Sequence, residues 1–153
     1  MSNLIHVMVV AALARDRSVV RRLVWPEPDI TVAGEAANYA EAVDSLCVHW
    51  YDAMVLDLSS ADPQSLGLLT RLAREFPQVP VIGLVDAGTQ DARSAALQCG
   101  ACSVVVWDAV ASHLVPAIRK AAVQRWDRDL ASPAPPLLPG MPTADAAGVL
   151  RKA

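Results

Sequence analysis

Apolar runs of strand length alternate along the chain with segments in which apolar residues recur at helical spacing. Nearly unbroken apolar runs of this length are typical of strands buried on both faces of a sheet. Five strands are predicted, over residues 4–11, 30–36, 52–58, 81–85 and 103–107. The helical spacing predicts helices over residues 18–24, 64–75, 89–98 and 109–128, with a further helix after Asn38.

The residues around the first two predicted helices suggest where those helices begin. Asp16 precedes the first helix and Asn38 the second, and both residue types are favoured as N-caps. The second helix is expected to bury one stripe, formed by Ala42, Val43, Leu46 and Cys47. Five strands alternating with five helices predict an α/β fold, with a parallel sheet covered by helices on both faces.

Composition narrows the classes of protein that fit this pattern. The chain is 54% hydrophobic and only 19% charged, with a net charge of −3 at pH 7. Its longest apolar runs are far shorter than the roughly 20 residues that span a bilayer, so no membrane segment is expected. The first residues lack the pattern of a signal peptide, and three cysteines suit a reducing compartment. A cytoplasmic location is therefore expected, and the mild acidity argues against a general nucleic-acid surface.

The composition changes after Arg128. Five of the eleven prolines lie between residues 129 and 142, which is typical of an extended linker. One folded domain is therefore expected over residues 1–128, followed by a Pro/Ala-rich linker or tail over residues 129–153. No helix-turn-helix recognition helix is evident in these residues, so direct DNA binding by this chain is not expected.

Four local patterns, in the same order along the chain, point to one family. They are Asp52-Ala-Met-Val-Leu-Asp57-Leu, Phe76-Pro-Gln-Val-Pro-Val-Ile, Leu97-Gln-Cys-Gly-Ala-Cys with the later Trp107-Asp108-Ala109, and His113-Leu-Val-Pro-Ala-Ile-Arg. Together they resemble the receiver domain of bacterial two-component response regulators, over about residues 5–126. The resemblance implies a flavodoxin-like (βα)5 fold with a five-stranded, doubly wound parallel sheet in the strand order 2-1-3-4-5.

The resemblance also assigns positions in a phosphorylation pocket. In the family, an aspartate at the end of the third strand accepts the phosphoryl group, and Asp57 matches it. The acidic pair that helps to hold Mg²⁺ falls on Ala11 and Ala12, and the position of the phosphate-binding Ser or Thr falls on Val85. The phosphate-binding lysine falls on Trp107. Asp57 is thus a candidate phosphoacceptor in a pocket whose supporting positions are degenerate.

These replacements carry a functional expectation. Mg²⁺ requires near-octahedral oxygen coordination, so its binding is expected to be weak or absent, and no other cofactor is expected. The sequence favours an atypical receiver, or pseudo-receiver, that is not an enzyme and acts independently of phosphorylation. The family resemblance suggests that a protein partner or a second copy would bind through the fourth helix, fifth strand and fifth helix. We further expect Trp107 to fill the space that a phosphoryl group would occupy.

Two alternative functions stay open at this point. One is a conventional receiver phosphorylated on Asp57 that controls a transcriptional output domain. The other is a small-molecule sensor that uses the same cleft at the strand ends. Cys99 and Cys102 form a Cys-x-x-Cys pair, but the sequence offers no second close pair of zinc ligands, and a helix C-terminus disfavours a thiolate. We therefore interpret the two cysteines as small packing residues of a turn.

Overall fold

The computed structural model describes residues 4–131, and the predicted tail lies outside them except for its first three residues. Strands and helices alternate along the whole described segment. The order is β1 (Ile5–Val10), α1 (Ala14–Val24), β2 (Ile30–Ala36), α2 (Tyr39–Val48), β3 (Ala53–Ser59), α3 (Pro63–Glu75), β4 (Val81–Val85), α4 (Gln90–Gln98), β5 (Ser103–Val106) and α5 (Val110–Ala131). A short 3₁₀ turn, Trp107–Ala109, joins β5 to α5.

The five strands form one parallel sheet in the order β2-β1-β3-β4-β5, as predicted. Successive side chains of a strand point to opposite faces, and β1 illustrates the consequence. Val7 and Val9 pack in the core beneath α1 and α5, whereas Met8 and Val10 pack beneath α2, α3 and α4. Helices cover both faces of the sheet. Open space is therefore expected between the loops at the carboxyl-terminal ends of the strands.

Three local predictions were wrong. Helix α1 begins at Ala14 rather than at residue 18, and Leu13 stands at its N-cap position without a side-chain hydrogen bond. Asp16 therefore lies in the first turn of the helix and does not cap it. Cys47 is exposed instead of belonging to the buried stripe of α2.

The capping prediction for α2 was correct. The Asn38 side chain accepts a hydrogen bond of 2.9 Å from the Glu41 N–H, and the Glu41 carboxylate accepts one of 2.8 Å from the Ala37 N–H. The first bond satisfies a helix N–H that the helix itself cannot pair, and the second ties the residue before the cap to the first turn of the helix. Together the two bonds fix the start of α2 beside the carboxyl-terminal end of β1.

Candidate functional site

Asp57 lies near the carboxyl-terminal end of β3, where a bulge at Leu58 turns the chain out of the sheet. After the bulge, Ser59 has a φ of 52°, which is left-handed backbone. This conformation directs the Ser59 N–H back onto Oδ1 of Asp57 at 3.0 Å, and the Ser59 hydroxyl lies 3.4 Å from Oδ2. The Asp57 side chain is thereby held at the sheet edge, half-buried.

Trp107 is the second residue that donates a hydrogen bond to Asp57. Its indole Nε1–H donates to Oδ1 over a distance of 3.2 Å, although the two residues are 50 positions apart in sequence. Trp107 begins the 3₁₀ turn rather than ending β5, so the predicted strand was one residue too long. The backbone changes direction at Trp107. Its indole ring packs on the core beneath α1 and α5, and the indole N–H donates to Asp57.

The loop after β1 carries alanines next to an arginine. Ala11 is buried and its N–H donates to the Ala36 carbonyl, whereas Ala12 is exposed. The guanidinium of Arg17 donates to the Ala11 carbonyl at 2.5 Å and lies 3.4 Å from the Ala12 carbonyl. Arg17 is held from its other side by Glu35, whose carboxylate lies 3.4 Å from Nε. The sequence reasoning missed Arg17, because nothing in its spacing indicates that a helix-borne arginine folds back onto this loop.

Val85 is the last residue of β4 and is fully buried. It lies in register with Ser59 on one side and with Val106 on the other. The Asp86 N–H donates to the Ser59 carbonyl at 2.8 Å, which ties the ends of β3 and β4 together. At this position the protein presents methyl groups, which neither donate nor accept a hydrogen bond.

Beside Asp57, on the side of β3 that faces β1 and away from β5, lies a cavity of about 900 Å³. Its floor is the end of β1 and β3, and its walls are the start of α2 and one face of α3. Ala11, Ala12 and Asp57 line it, so three of the five predicted site residues meet there, but Trp107 and Val85 are not among the lining residues. Arg71 and Arg74 stand at the α3 wall, and the Arg71 guanidinium lies 3.7 Å from the centre of the Tyr39 ring.

Asp52 occupies the opposite end of β3 and has structural partners. Its Oδ1 lies 3.2 Å from Nη1 of Arg125 and 3.2 Å from Nε1 of Trp126. Its Oδ2 accepts the His6 N–H at 2.9 Å. Asp52 and Arg125 are 5% and 2% exposed, so this is a buried ion pair that ties the end of α5 to the sheet.

Across residues 4–131, no group of three or more His, Cys, Asp or Glu side chains is arranged to hold a metal ion. Within the same residues, no helix combines the length and the apolar character that crossing a bilayer requires. Cys99 is the C-cap residue of α4, consistent with the interpretation of the Cys-x-x-Cys pair as part of a turn.

The fold and the aspartate at the end of β3 define a class of protein, and comparison with known sequences gives the same class. The sequence model of the response regulator receiver domain matches residues 7–119. The chain therefore belongs to the response regulator receiver domain family of two-component signalling.

Individual relatives agree with this assignment. The chain is 30% identical over 122 residues to the DNA-binding transcriptional activator DevR/DosR of Mycobacterium tuberculosis, covering 77% of this chain and 56% of that protein. It is 29% identical over 133 residues to protein-glutamate methylesterase/protein-glutamine glutaminase 2 of Dechloromonas aromatica, covering 80% of this chain and 37% of that protein. The chain thus matches only part of each relative's length.

A solved structure supports the fold. The response regulator domain of Thermotoga maritima CheB superimposes with a TM-score of 0.68 at 24% sequence identity. The match covers 79% of this chain and 98% of that one. The predicted flavodoxin-like receiver fold with strand order 2-1-3-4-5 is confirmed.

Proposed function

We propose that this receiver domain is an atypical one, a pseudo-receiver that signals without phosphorylation of Asp57 by presenting a fixed surface to a protein partner or a second copy of itself. The observation that carries the proposal is the hydrogen bond from the Trp107 indole to Asp57. The indole stands where the family has a lysine, and it satisfies the carboxylate without bringing a positive charge. Asp57 then serves as a structural acceptor that fixes Trp107.

The charges around Asp57 support the same conclusion. A phosphoryl group on a carboxylate carries about two negative charges, which must be compensated for the transfer to be fast. Ala11 and Ala12 offer no carboxylate to hold a metal ion, Val85 offers no hydroxyl, and Trp107 offers no charge. Loss of one preorganised partner typically costs about 3 kcal/mol in the transition state, so the combined losses should suppress phosphotransfer strongly.

The residues at the site do not fit Mg²⁺ well. This ion needs about six oxygen ligands in near-octahedral geometry, and Asp57 is the only carboxylate among the cavity-lining residues. The carbonyls of Ala11 and Ser59 could supply oxygen, but they already accept hydrogen bonds from Arg17 and from the Asp86 N–H. The Arg17 guanidinium, a fixed cation, also lies against the loop that would face the metal. Weak or absent Mg²⁺ binding is therefore part of the proposal.

The surface formed by α4, β5 and α5 is the proposed site of contact. A depression of about 320 Å³ lies on it, lined in part by Val104, Val106 and His113. Leu97 on α4 and Val123 on α5 are each about half exposed. Such apolar side chains, partly open to solvent, support a protein contact at this face. The proposal includes a cytoplasmic location and assigns to this chain neither an enzymatic step nor direct contact with DNA.

Phosphorylation is the direct test of the proposal. The protein is incubated with acetyl phosphate, with and without Mg²⁺, and its intact mass is measured beside that of Asp57→Ala. We expect no phosphoryl adduct on the wild type under any condition. A mass gain that needs both Mg²⁺ and Asp57 would overturn the proposal.

The contact surface has a separate test. Leu97→Glu places a charge on the proposed surface, and Val48→Glu, at a residue 73% exposed at the end of α2, is the matched control. Sedimentation velocity should show self-association of the wild type and of Val48→Glu, with at least a tenfold weaker dimer in Leu97→Glu. If the wild type is monomeric, the partner is a different protein. If the dimer is equally stable in all three proteins, it does not form through this surface.

The alternative of a conventional phosphoacceptor receiver has one specific support. Asp57 is half-buried rather than sealed, and its Oδ2 has only the 3.4 Å contact with Ser59 among the described residues. The similarity to a transcriptional activator makes an output domain that binds DNA the natural companion in that case. The acetyl phosphate experiment separates the two functions, because only the conventional receiver gains mass.

A further inference from the structure

Gly67 stands out among the five glycines of residues 4–131. The other four are Gly34, Gly83, Gly88 and Gly100. At each of them an added methyl group would lie closer than 3.0 Å to another side chain, so there is a steric reason for glycine. Apart from its two chain neighbours and the backbone of its own helix, a methyl group on Gly67 would meet no atom within 4 Å. Glycine in the interior of a helix costs about 0.5–1 kcal/mol relative to alanine, and Gly67 lies well inside α3.

The space that Gly67 leaves open is the cavity beside Asp57. Gly67 lines that cavity together with Leu68 and Arg71 of the same helix face. A side chain at residue 67 would project into the cavity and narrow it. Its volume of about 900 Å³ is within the range of small-molecule sites, which is roughly 300–1,000 Å³. A glycine that costs helix stability at this position is explained if a ligand occupies the open space beside it.

The lining combines apolar, cationic and acidic side chains. Val10, Leu56 and Leu68 supply apolar surface. Arg71 and Arg74, both exposed, bring two guanidinium groups, and Arg71 is oriented by stacking on the Tyr39 ring. Tyr39 in turn donates its hydroxyl to Glu75, which fixes the ring. The Asp57 carboxylate also lines the cavity, and among the described residues its Oδ2 has only the 3.4 Å contact with the Ser59 hydroxyl.

We propose that this cavity between α2 and α3 binds a small amphipathic organic acid. Its carboxylate pairs with Arg71 and Arg74, its apolar body lies across Gly67 and Leu68, and a hydroxyl or amine at its far end donates to Asp57. Arginine suits the first contact because its planar fork matches a carboxylate. The proposal goes beyond a phosphorylation-independent role, since it gives the domain an input of its own.

The probe for the test is 3-(4-hydroxyphenyl)propanoate, which carries a carboxylate, an aromatic body and a terminal hydroxyl. It is titrated into ¹⁵N-labelled protein while amide chemical shifts are recorded. A fragment of this size should bind with a Kd of about 0.1–1 mM. Saturable shifts are expected at the cavity residues and not on the α4–β5–α5 surface. The methyl ester of the probe and the analogue lacking the hydroxyl should each bind at least fivefold more weakly.

Variants that fold normally show whether the probe binds in this cavity. Gly67→Leu fills the cavity at a position that has room for a side chain, so it should fold normally and bind at least tenfold more weakly. The pair Arg71→Gln and Arg74→Gln should weaken the probe about tenfold but hardly change binding of the methyl ester. Arg93→Gln, an arginine substitution on α4, is the matched control and should bind like the wild type.

Three results would overturn the proposal. The first is the absence of saturable shifts at probe concentrations up to about 10 mM, which is tenfold above the upper end of the expected Kd range. The second is a set of saturable shifts that map outside the cavity. The third is equal binding of the probe by the wild type and by a folded Gly67→Leu. None of these outcomes depends on whether acetyl phosphate modifies Asp57. Failure here is therefore distinguishable from failure of the phosphorylation-independent function.

Discussion

The indole nitrogen of Trp107 lies 3.2 Å from Oδ1 of Asp57, so a neutral donor meets the carboxylate at the position that the family resemblance matches to a lysine. The geometry of a receiver is preserved, since the ends of β3 and β5 still converge on this aspartate. The electrostatics are not, because an indole N–H compensates far less negative charge than an ammonium group. In the proposed function, this pair is what separates the fold of the family from its phosphotransfer chemistry.

The hydrogen bond itself should contribute to stability. Trp107→Phe keeps an aromatic ring but removes the donor, and we expect a loss of about 1 kcal/mol in the free energy of unfolding. Urea unfolding followed by circular dichroism measures it. Trp25→Phe, at a residue 85% exposed, is the control and should leave stability unchanged. An equal effect of the two substitutions would contradict a stabilising role for the bond.

Restoring the missing groups should restore the chemistry. The triple variant Ala11→Asp, Ala12→Asp and Trp107→Lys supplies the acidic pair and the cation that the family uses. We expect it to gain Mg²⁺-dependent phosphorylation by acetyl phosphate, at least about 100-fold faster than the wild type, because each preorganised partner contributes on the order of 3 kcal/mol. Intact mass gives the rate, and the same variant with Asp57→Ala is the control. A folded but unreactive triple variant would mean that other residues block the reaction.

The buried ion pair between Asp52 and Arg125 should be sensitive to removal of either partner alone. Asp52→Ala or Arg125→Ala leaves a buried charge without its counterpart, and we expect a loss of about 3–5 kcal/mol. The double variant should lose less than the sum of the two. Arg21→Ala, which removes a half-exposed partner of Glu35, should cost below about 1 kcal/mol. Additive losses from the two alanines would show that the side chains act separately.

Two glycines should respond in opposite directions to the same substitution. Gly67→Ala should stabilise the protein by about 0.5–1 kcal/mol, because the helix gains propensity and nothing is displaced. Gly83→Ala should destabilise it by about 1–3 kcal/mol, since the methyl group would lie 2.7 Å from Cδ1 of the fully buried Leu58. Thermal unfolding of the two variants measures both effects. A loss of stability in Gly67→Ala would contradict the open space at the α3 wall.

Asp62 should make stability depend on acid. It caps α3 by accepting the Ser65 N–H at 2.8 Å, and this hydrogen bond lowers the pKa of its carboxyl below 3.8. The unfolded state therefore binds the proton more readily than the folded state. The contribution of Asp62 to the free energy of unfolding is complete at pH values above the ordinary pKa of 3.8, and it is lost as the pH falls through the lower pKa of the folded state. Asp62→Asn can still cap but does not titrate. Its stability relative to the wild type should rise as the pH is lowered, and parallel curves would contradict the assignment.

The fold was readable from the sequence because buried parallel strands leave long apolar runs. The bounds of β2 and β4 matched the prediction, and Asn38 was recognisable because its cap is a local interaction. The start of α1 was not predicted, since the helix begins without a side-chain cap at Leu13. A local sequence pattern does not indicate a helix start that lacks a side-chain cap.

The placement of the candidate site residues at one edge of the sheet was predictable, whereas their role in a site stays a prediction. Asp57 and Val85 lie at the ends of β3 and β4, Ala11 and Ala12 follow β1, and Trp107 follows β5. What the sequence did not reveal are contacts between distant residues. Arg17 on the Ala11 carbonyl and Arg125 on Asp52 both depend on how a helix is placed against the sheet. The open space beside Gly67 was likewise not predicted, because a glycine in a helical pattern does not show what surrounds it in the fold.

The state of the Trp107–Asp57 pair can be observed directly through the indole N–H resonance of Trp107. Beryllofluoride, which mimics a phosphoryl group, is titrated with Mg²⁺ into ¹⁵N-labelled protein. We expect this resonance and the amide signals of Asp57 and Ser59 to stay unchanged, because the indole keeps its hydrogen bond to Oδ1. Saturable shifts of these three signals that are absent in Asp57→Ala would contradict it, since they would mean that the pocket accepts a phosphoryl group.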